Sequence, residues 1–398
     1  MKNIKPKRAI LVLEDGSKYN GWSFSESMSS KGEIVFNTGM TGYQEIMTDP
    51  SYLGQIVTFT YPEIGNTGIN KQDNESIKPY LKGIILKNFS KRPSNWRSHL
   101  SLINYLQKHN IIHIYGIDTR ALTKYLRKSG TMSGCISTQN LDTDEIYNKL
   151  KCSSKIIEQD YVNIVSTTET YKWNKYNKKC FTSIKKHYRI RIKEKNLRIL
   201  LIDFGIKLNI LRELSLYIKN LIVVSAKTHY TTILKYKPDG ILLSNGPGDP
   251  QAVIYATETI RNLLQGKNQV PIFGICMGHQ IISLALGLQT FKLKFGHRGL
   301  NHPVGFNQNI EITSQNHGFG VEDHPLIDKT ILLLQTNYND QTIAGINHCE
   351  YPCFSVQYHP ESSPGPNDSK HLFLHFIRVI QIAKKHSNIN QHISSLTN

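Results

Sequence analysis

One of the six cysteines lies in a setting that favours nucleophilic chemistry. Cys276 follows the apolar run from Val270 to Ile275 and precedes a helical pattern from His279 to Leu288, within the letters Gly-Ile-Cys-Met-Gly. Glycines two positions before and after the central residue are typical of a nucleophile elbow, a tight strand-to-helix turn that projects the reactive side chain. The helix start would stabilise a thiolate and a developing oxyanion. The pattern predicts Cys276 as a nucleophile, and the alternative is an inert cysteine buried at the end of a core strand.

A candidate base and its partner follow another apolar run. The stretch from Phe354 to Tyr358 ends in His359, Pro360 and Glu361. An imidazole in that place can take the thiol proton and return it to a leaving amine, and a carboxylate two residues later can fix the tautomer of the ring and hold its charge. Alone, such a pair is common as a satisfied surface contact. Together with an upstream cysteine elbow it predicts a catalytic triad of cysteine, histidine and glutamate.

A constrained turn follows a third apolar run. Gly246, Pro247 and Gly248 come shortly after the run that ends at Leu243. Backbone amides in such a rigid turn form an anion-binding nest, which suits an oxyanion or the carboxylate of a substrate. The alternative is a tight turn that binds nothing.

Strands and helices alternate in the second half of the chain and would position these residues. The near-continuous apolar runs indicate parallel strands that helices cover on both faces. An open α/β sheet binds ligands at the carboxyl ends of its strands, so the loops after the runs are expected to hold the chemistry. The runs are Leu197 to Asp203, Leu221 to Ala226, Gly240 to Leu243 and Val270 to Ile275, and the helical patterns are Asn209 to Leu216, Ala256 to Leu264 and His279 to Leu288.

The first half of the chain has a less regular hydrophobic pattern, which predicts a mixed α and β domain. Short β-rich pieces are interrupted by Gly, Pro and Asn turns, and two helical patterns occur among them. The β-rich pieces are Ala9 to Leu13, Glu33 to Phe36, Gln55 to Tyr61 and Gly83 to Leu86, and the helical patterns are Ser101 to His109 and Arg120 to Lys128.

The change in hydrophobic pattern along the sequence divides the chain into segments. We expect an amino-terminal domain over residues 1–195, which includes a basic linker over about 155–195, then a carboxyl-terminal domain over residues 196–385 and a polar tail over residues 386–398. The linker is polar, rich in lysine and without clear periodicity, which is the composition of a segment between domains.

Composition excludes several classes of protein. The 398 residues are 39% hydrophobic and 20% charged, as in a globular protein rather than a disordered one. No apolar run approaches the roughly 20 residues that cross a bilayer, and the start of the chain lacks the pattern of a secretory signal. The cysteines are too sparse for a disulfide scaffold and show no paired zinc pattern. The spacing of His297, His302 and His317 is unlike that of a metal site, so no metal is expected.

The formal charge of +18 is the one compositional oddity. Ten basic residues and a single acid, Glu194, lie between Lys172 and Lys195. Such a segment is either a solvated loop or a surface that docks an acidic partner. The alternative is drift toward Lys, Asn and Ile, as an AT-rich genome produces, which would fit a chain encoded in a plastid. We therefore expect a location in the cytoplasm or the plastid stroma.

Taken together, the motifs resemble a known family. Gly-Pro-Gly-Asp-Pro250, Gly-Ile-Cys276-Met-Gly-His-Gln and Tyr-His359-Pro-Glu resemble the class I (triad) glutamine amidotransferases in order and spacing. The stretches that begin Phe36-Asn-Thr-Gly-Met, Asp49-Pro-Ser-Tyr and Gly116-Ile-Asp-Thr-Arg resemble the amino-terminal domain of the small subunit of carbamoyl-phosphate synthase. The resemblance covers nearly the whole chain. It implies a flavodoxin-like α/β carboxyl-terminal domain with a parallel or mixed sheet, preceded by a mixed α/β domain.

The resemblance also implies roles for individual residues. Cys276 would attack the side-chain amide of L-glutamine to give a thioester, His359 and Glu361 would complete the triad, and water would release glutamate. Met277 stands where many relatives carry Leu, an exchange that a backbone amide role tolerates. The glutamine-binding residues implied by the resemblance are Ser51, Gly246, Gly248, Met277, Gln280, Asn316, Gly318 and Phe319.

A partner is implied as well. Ammonia would pass to a large ATP-dependent subunit, which forms carbamoyl phosphate from bicarbonate for arginine and pyrimidine synthesis. ATP and magnesium are expected to belong to that subunit, because this chain has no Walker-type phosphate loop and is expected to hold no cofactor. Binding to nucleic acid or to membranes is not expected.

Two alternatives stay open at this point. A glutaminase subunit of another synthase, for anthranilate or for guanylate (GMP), would share the triad but lack the first domain. An inactive relative that binds nucleic acid through its lysine-rich segment would show salt-sensitive binding to bulk RNA or DNA.

Overall fold

The computed structural model describes residues 5–152, 159–173, 197–266, 269–323 and 329–396, with side chains as far as residue 386. The chain divides into two compact units. The first comprises Met1–Tyr161, Lys292–Leu300 and Asn316–Gly318, and the second comprises Val162–Phe291, Asn301–Gln315 and Phe319–Asn398. Among the residues described, no helix is both long and apolar enough to span a bilayer.

The first unit is built on a mixed sheet of seven strands. Its elements in chain order are β1 (Lys7–Leu13), β2 (Lys18–Ser23), β3 (Ser29–Asn37), α1 (Tyr43–Thr48), a 3-10 helix (Pro50–Tyr52), β4 (Gln55–Phe59), β5 (Glu63–Ile64), β6 (Gly83–Ile85), β7 (Asn88–Phe89), α2 (Leu102–Lys108), β8 (Ile112–Ile114), α3 (Thr119–Ser129), β9 (Met132–Ser137) and α4 (Thr143–Lys151). The strand order is β2-β1-β9-β3-β4-β6-β8, parallel from β3 to β8 and antiparallel elsewhere. The mixed α and β domain expected from the sequence is confirmed.

The second unit contains an open sheet flanked by helices. Its elements are α5 (Val162–Val165), β10 (Tyr171–Lys172), β11 (Arg198–Asp203), α6 (Leu208–Ser215), β12 (Asn220–Ser225), α7 (Tyr230–Lys235), β13 (Gly240–Leu243), a 3-10 helix (Pro250–Ala252), α8 (Ile254–Gln265), β14 (Ile272–Ile275), α9 (Met277–Ala285), β15 (Thr290–Phe306), β16 (Asn309–Val321), β17 (Ile331–Asn337), β18 (Ile343–His348), β19 (Cys353–Val356), a 3-10 helix (Asp368–Lys370) and α10 (His371–Leu396). The strands β15 and β16 contain residues of both units.

Five neighbouring strands form the parallel part of this sheet, in the order β12-β11-β13-β14-β19. Numbered along the chain, that order is 2-1-3-4-5, the flavodoxin-like arrangement, in which ligands bind at the carboxyl ends of the strands. The remaining strands extend the sheet on both sides, with antiparallel pairs where β10 meets β12 and where β18 meets β19 and β17. The expected fold class is confirmed.

Alternate residues of the parallel strands enter two separate cores. Along β11, Ile199 and Leu201 pack with α6 and α10, whereas Leu200 and Ile202 pack with α7, α8 and α9 on the other face. Successive side chains of a strand point to opposite faces, so a strand that is covered on both sides needs an unbroken apolar run. The apolar runs of the sequence are therefore the parallel strands of the structure.

The boundary between the units differs from the one expected near residue 195. The structure divides the chain after Tyr161. Val162 is fully buried in a core of the second unit, and Tyr171 and Lys172 add an antiparallel edge strand to β12. The polar composition of this segment concealed its place in the second sheet. Nearly all of the basic segment from Lys172 to Lys195 lies outside the described residues.

The expected polar tail over residues 386–398 is also not a separate segment. Helix α10 continues from His371 to Leu396 without a break at residue 385. Its first turns bury Phe373, Phe376 and Ile380 against the sheet. The polar residues that follow continue the same helix, and composition alone could not show that continuity.

Replacing Phe273 with Ala should lower the free energy of unfolding by about 3–5 kcal/mol, the usual cost of emptying a buried aromatic site. Phe273 is fully buried on β14 and stacks on Phe354 at a centroid distance of 4.4 Å. Urea unfolding followed by circular dichroism would measure the change. Ile254→Ala is the control, because Ile254 is 63% exposed, and its effect should stay within about 0.5 kcal/mol. Equal effects of the two substitutions would contradict the assigned core.

Candidate active site

Cys276 lies in the turn that joins β14 to α9. It occupies the position before the first residue of the helix, with φ 52° and ψ −100°, a conformation that residues other than glycine rarely adopt. Its backbone N–H donates to the carbonyl of Val356 on the neighbouring strand β19 at 2.9 Å, and the residue is only 2% exposed. The turn has the geometry of the elbow that the sequence predicts.

Glycines around this turn are required because other backbone segments pass very close. A Cβ on Gly274 would lie 2.7 Å from the carbonyl oxygen of Gly278, and a Cβ on Gly278 would lie 2.5 Å from that of Leu243. A Cβ on Gly246 would lie 2.4 Å from the carbonyl oxygen of Phe204. All three distances are shorter than real Cβ contacts, so any larger residue would force the backbone apart. The elbow and the loops after β13 and β11 are therefore packed backbone against backbone.

A buried line of polar contacts runs through the second unit. The Nδ1 atom of His359 lies 2.6 Å from Oε1 of Glu361, and the Nζ atom of Lys207 lies 2.9 Å from the same oxygen. The three side chains are almost completely buried. Lys207 also donates from Nζ to the carbonyl of Ser362 at 2.5 Å, and the Nδ2 atom of Asn209 donates to the carbonyl of Glu361 at 2.5 Å. The carboxylate is thereby held in one position.

The surrounding charges set the protonation of the imidazole. Burial disfavours the imidazolium, but the negative charge of the Glu361 carboxylate and then the charge and hydrogen bond of the Cys276 sulfur outweigh it and raise the pKa of His359. Burial likewise opposes the charged form of Glu361, yet the Lys207 ammonium and the His359 ring outweigh it and lower the pKa of that carboxyl. The arrangement keeps a proton on the imidazole beside the sulfur.

The sulfur and the imidazole interact directly. Cys276 acts on the pKa of His359 both as a nearby charge and as a side-chain hydrogen-bond partner. The Nε2 atom of the ring, however, makes no hydrogen bond of regular geometry within the described part of the chain. Because Nδ1 is committed to Glu361, Nε2 is the atom that remains to exchange a proton with the sulfur or with a substrate. The structure thus brings the three predicted catalytic residues together.

Lys207 is a residue of the site that the sequence interpretation missed. It follows β11 in the letters Asp203-Phe-Gly-Ile-Lys207, and its own N–H donates to Oδ1 of Asn245 at 3.0 Å. A signal was present, because Lys207 lies just beyond the carboxyl end of a predicted parallel strand, where an α/β sheet places its ligand-binding groups. Its contact with Glu361 indicates its role: the ammonium group of Lys207 neutralises a buried carboxylate, which would otherwise destabilise the fold.

Several of the predicted glutamine-binding residues lie in the second unit. Met277 and Gln280 are in the first turn of α9, and the Nε2 atom of Gln280 donates to the carbonyl of Phe319 at 2.8 Å. Gly246 and Gly248 lie in the loop after β13, and this loop contacts the same helix start, since the N–H of Gly278 donates to the carbonyl of Ser244 at 3.0 Å. Met277 and Gln280 therefore directly follow the elbow, and the loop that contains Gly246 and Gly248 begins beside it.

The other predicted binding residues belong to the first unit. Ser51 lies in the 3-10 helix Pro50–Tyr52, and Asn316 and Gly318 lie in the part of β16 that belongs to that unit. The side chains of Asn316 and Asp49 are hydrogen bonded, with 3.0 Å between Nδ2 and Oδ2. The roles of Ser51, Asn316 and Gly318 in binding stay predictions.

Comparison with known proteins agrees with this geometry. Residues 11–136 match the family model described as the carbamoyl-phosphate synthase small chain, CPSase domain, and residues 200–379 match glutamine amidotransferase class-I. A carbamoyl phosphate synthase small chain of Gracilaria tenuistipitata var. liui is 54% identical over 386 residues, which cover 97% of this chain and 97% of that protein. The chain belongs to the carbamoyl-phosphate synthase small-chain family.

Further relatives extend the match to other organisms. A carbamoyl phosphate synthase small chain of Porphyra purpurea is 52% identical over 391 residues, covering 97% of this chain and 100% of that protein. One of Synechocystis is 51% identical over 383 residues, covering 95% of this chain and 97% of that protein. The protein is accordingly a glutamine amidotransferase subunit of the carbamoyl-phosphate synthase family. The match to the first domain decides against a subunit that serves anthranilate or guanylate synthesis.

Replacing Glu361 with Gln should lower kcat/KM for glutamine hydrolysis on the order of 100-fold, because the imidazole loses the carboxylate that orients it. The alkaline limb of the pH profile should also move to lower pH. In the wild type the carboxylate raises the pKa of His359, so the imidazolium persists to higher pH. Without it, burial lowers that pKa, and the proton needed by the leaving ammonia is lost sooner. Measuring kcat/KM against pH tests both effects.

Glu213→Gln is the matched control for this experiment. Glu213 forms an ion pair with Lys370 at 2.7 Å in the same unit. Its removal should leave the rate and the pH profile unchanged. If the alkaline limb lay at the same pH in the Glu361 variant and in the wild type, the claim that the Glu361 carboxylate raises the pKa of His359 would be wrong.

Proposed function

We propose that the protein hydrolyses L-glutamine to L-glutamate and ammonia through a thioester on Cys276. The observation that carries the proposal is the buried contact between His359 and Glu361 beside a cysteine in a strained strand-to-helix turn. This constellation of nucleophile, base and orienting acid is suited to acyl transfer.

The first half of the reaction forms the thioester. The Cys276 sulfur attacks the carbon of the side-chain amide, so that a carbon–sulfur bond forms and the carbonyl oxygen becomes an oxyanion. The imidazolium of His359 gives its Nε2 proton to the amide nitrogen, and the carbon–nitrogen bond breaks to release ammonia. The backbone N–H groups of Met277 and Gly248 are the proposed donors to the oxyanion.

The second half regenerates the enzyme. The neutral imidazole of His359 takes a proton from water as the oxygen attacks the thioester carbon. The carbon–sulfur bond then breaks, glutamate leaves, and the proton returns to the pair formed by Cys276 and His359. Glu361 holds the ring in one tautomer throughout and stabilises its charge. Lys207 keeps that carboxylate ionised, because it lowers the pKa of Glu361.

Substrate recognition is proposed for a set of residues that combines backbone amides with polar side chains. Gln280 is buried and its amide group is already oriented by the carbonyl of Phe319 and by Oε1 of Gln357, so it is suited to the polar head of an amino acid. Such pre-arranged polar groups give specificity because a substrate lacking the matching group leaves them unpaired. The proposed set is Ser51, Gly246, Gly248, Met277, Gln280, Asn316, Gly318 and Phe319.

The ammonia is proposed to serve a larger partner subunit. The relatives are named small chains of carbamoyl phosphate synthase, which implies a large subunit beside them. That subunit would use ATP and magnesium to form carbamoyl phosphate from bicarbonate for arginine and pyrimidine synthesis, and the chain described here would hold no cofactor of its own. A plastid stroma or the cytoplasm is the proposed location, supported by the Lys, Asn and Ile bias and by the red algal relatives.

Cys276→Ser in the complex with the large subunit should reduce glutamine-dependent carbamoyl phosphate synthesis on the order of 1000-fold or more, the scale of losing a covalent nucleophile. Synthesis from ammonium should continue, because free ammonia bypasses the glutaminase. Carbamoyl phosphate formation from each nitrogen source is the measurement.

Cys349→Ser is the control, since Cys349 is exposed and lies outside the triad. It should retain activity with both nitrogen sources. Loss of both activities in the Cys276 variant, or full glutamine-dependent activity in it, would overturn the proposed function.

A further inference from the structure

One buried carboxylate in the first unit joins two parts of the chain that are distant in sequence. Oδ1 of Asp49 accepts the backbone N–H of Ser51 at 2.9 Å, and Oδ2 accepts Nδ2 of Asn316 at 3.0 Å. Asp49 itself is only 4% exposed. Ser51 and Asn316 both belong to the proposed glutamine-binding set, and Asp49 does not.

The first contact fixes the backbone around Ser51. Asp49 caps the 3-10 helix Pro50–Tyr52, in which Pro50 occupies the first position. A side-chain cap satisfies an N–H group that has no partner within the helix, and proline fixes its own φ angle. The conformation of Ser51 therefore depends on the carboxylate two residues before it.

The second contact fixes the side chain of Asn316. A hydrogen bond between a buried carboxylate and an amide donor is stronger than one between neutral groups, so it constrains Asn316 tightly. The neighbouring Gly318 lies in the same stretch of β16. One side chain thus sets the positions of residues from both stretches.

We propose that Asp49 is a positioning residue for glutamine, which orders Ser51 and Asn316 through the two oxygens of one carboxylate. This inference rests on the proposed function. It assigns Asp49 no contact with the reacting atoms, so its loss should weaken substrate binding rather than the chemical step. The expected signature is a higher KM for glutamine with kcat of hydrolysis nearly kept.

The first test separates the two contacts. Asp49→Ser keeps an oxygen that can cap the 3-10 helix but is too short to reach Asn316. Its KM for glutamine should rise on the order of 10-fold, the effect of losing one hydrogen bond to a charged group. Asp49→Asn should stay within about 3-fold of the wild type, because the amide of Asn316 can turn and offer its oxygen instead.

Exchanging the carboxylate and the amide between Asp49 and Asn316, a charge swap, distinguishes a positioning role from a merely structural one. Asn316→Asp places two carboxylates face to face and should raise KM on the order of 10-fold or more. The double variant Asp49→Asn with Asn316→Asp restores a donor and an acceptor and should recover most of the lost affinity, which a double-mutant cycle measures as coupling. The control is Asp118→Ser, because Asp118 caps α3 in the same unit through the N–H of Ala121 at 2.9 Å, and its KM should not change.

All kinetics use the full chain with its large subunit, and the thermal midpoint of each variant is recorded. An unchanged KM in both Asp49→Ser and Asn316→Asp, or no recovery in the double variant, overturns the positioning role. If Asp49→Ser does not fold, the charge-swap cycle alone decides between these outcomes. Cys276→Ser tests the glutaminase activity itself. If that variant is inactive while the Asp49 and Asn316 variants keep the KM of the wild type, this inference is rejected and the proposed function stands.

Discussion

The strand-to-helix turn at Cys276 is the constraint on which the rest of the site depends. The turn holds a cysteine at φ 52°, a conformation that its side chain disfavours, and the surrounding packing must supply the free energy that maintains it. That packing is backbone against backbone: Gly274 against Gly278, and Gly278 against the carbonyl of Leu243. As a result the sulfur sits at the start of α9 and at the end of β14, next to amide groups that have no partner within the helix.

A second constraint is the burial of charge around the imidazole. Three ionisable side chains, Lys207, Glu361 and His359, are removed from water, and each is tolerable only because the next one compensates it. The same arrangement explains how the orienting acid is fixed: one oxygen of Glu361, Oε1, contacts both the Lys207 ammonium and the His359 imidazole. The buried carboxylate of Asp49 is also held by hydrogen bonds, with Oδ1 accepting the N–H of Ser51 and Oδ2 accepting the amide of Asn316.

Much of this architecture could be predicted from the sequence because it is encoded locally. The parallel strands are unbroken apolar runs, and the cysteine, the glycine turn and the histidine each follow one of them, so strand order was not needed to expect them at one sheet edge. Lys207 and Asp49 were harder to recognise. Each is a single charged residue beside a more distinctive motif, and its role arises from a partner more than 150 positions away, Glu361 for one and Asn316 for the other.

The elements that were missed have physical explanations. The strands β15 and β16 show no regular alternation of buried and exposed residues, so the two-residue period that identifies a strand is absent from them. The edge strand Tyr171–Lys172 is too short to produce any period. Helix α10 did carry a signal, since Phe373, Phe376, Ile377 and Ile380 recur at helical spacing, and it could have been predicted.

The most direct measurement of the central claim is the site of covalent labelling by a glutamine analogue that carries an electrophilic carbon in place of the amide. The account predicts one adduct per chain, located by mass spectrometry on Cys276, formed rapidly and suppressed by added glutamine. Labelling spread over the exposed thiols of Cys152 and Cys349, unaffected by glutamine, would contradict it.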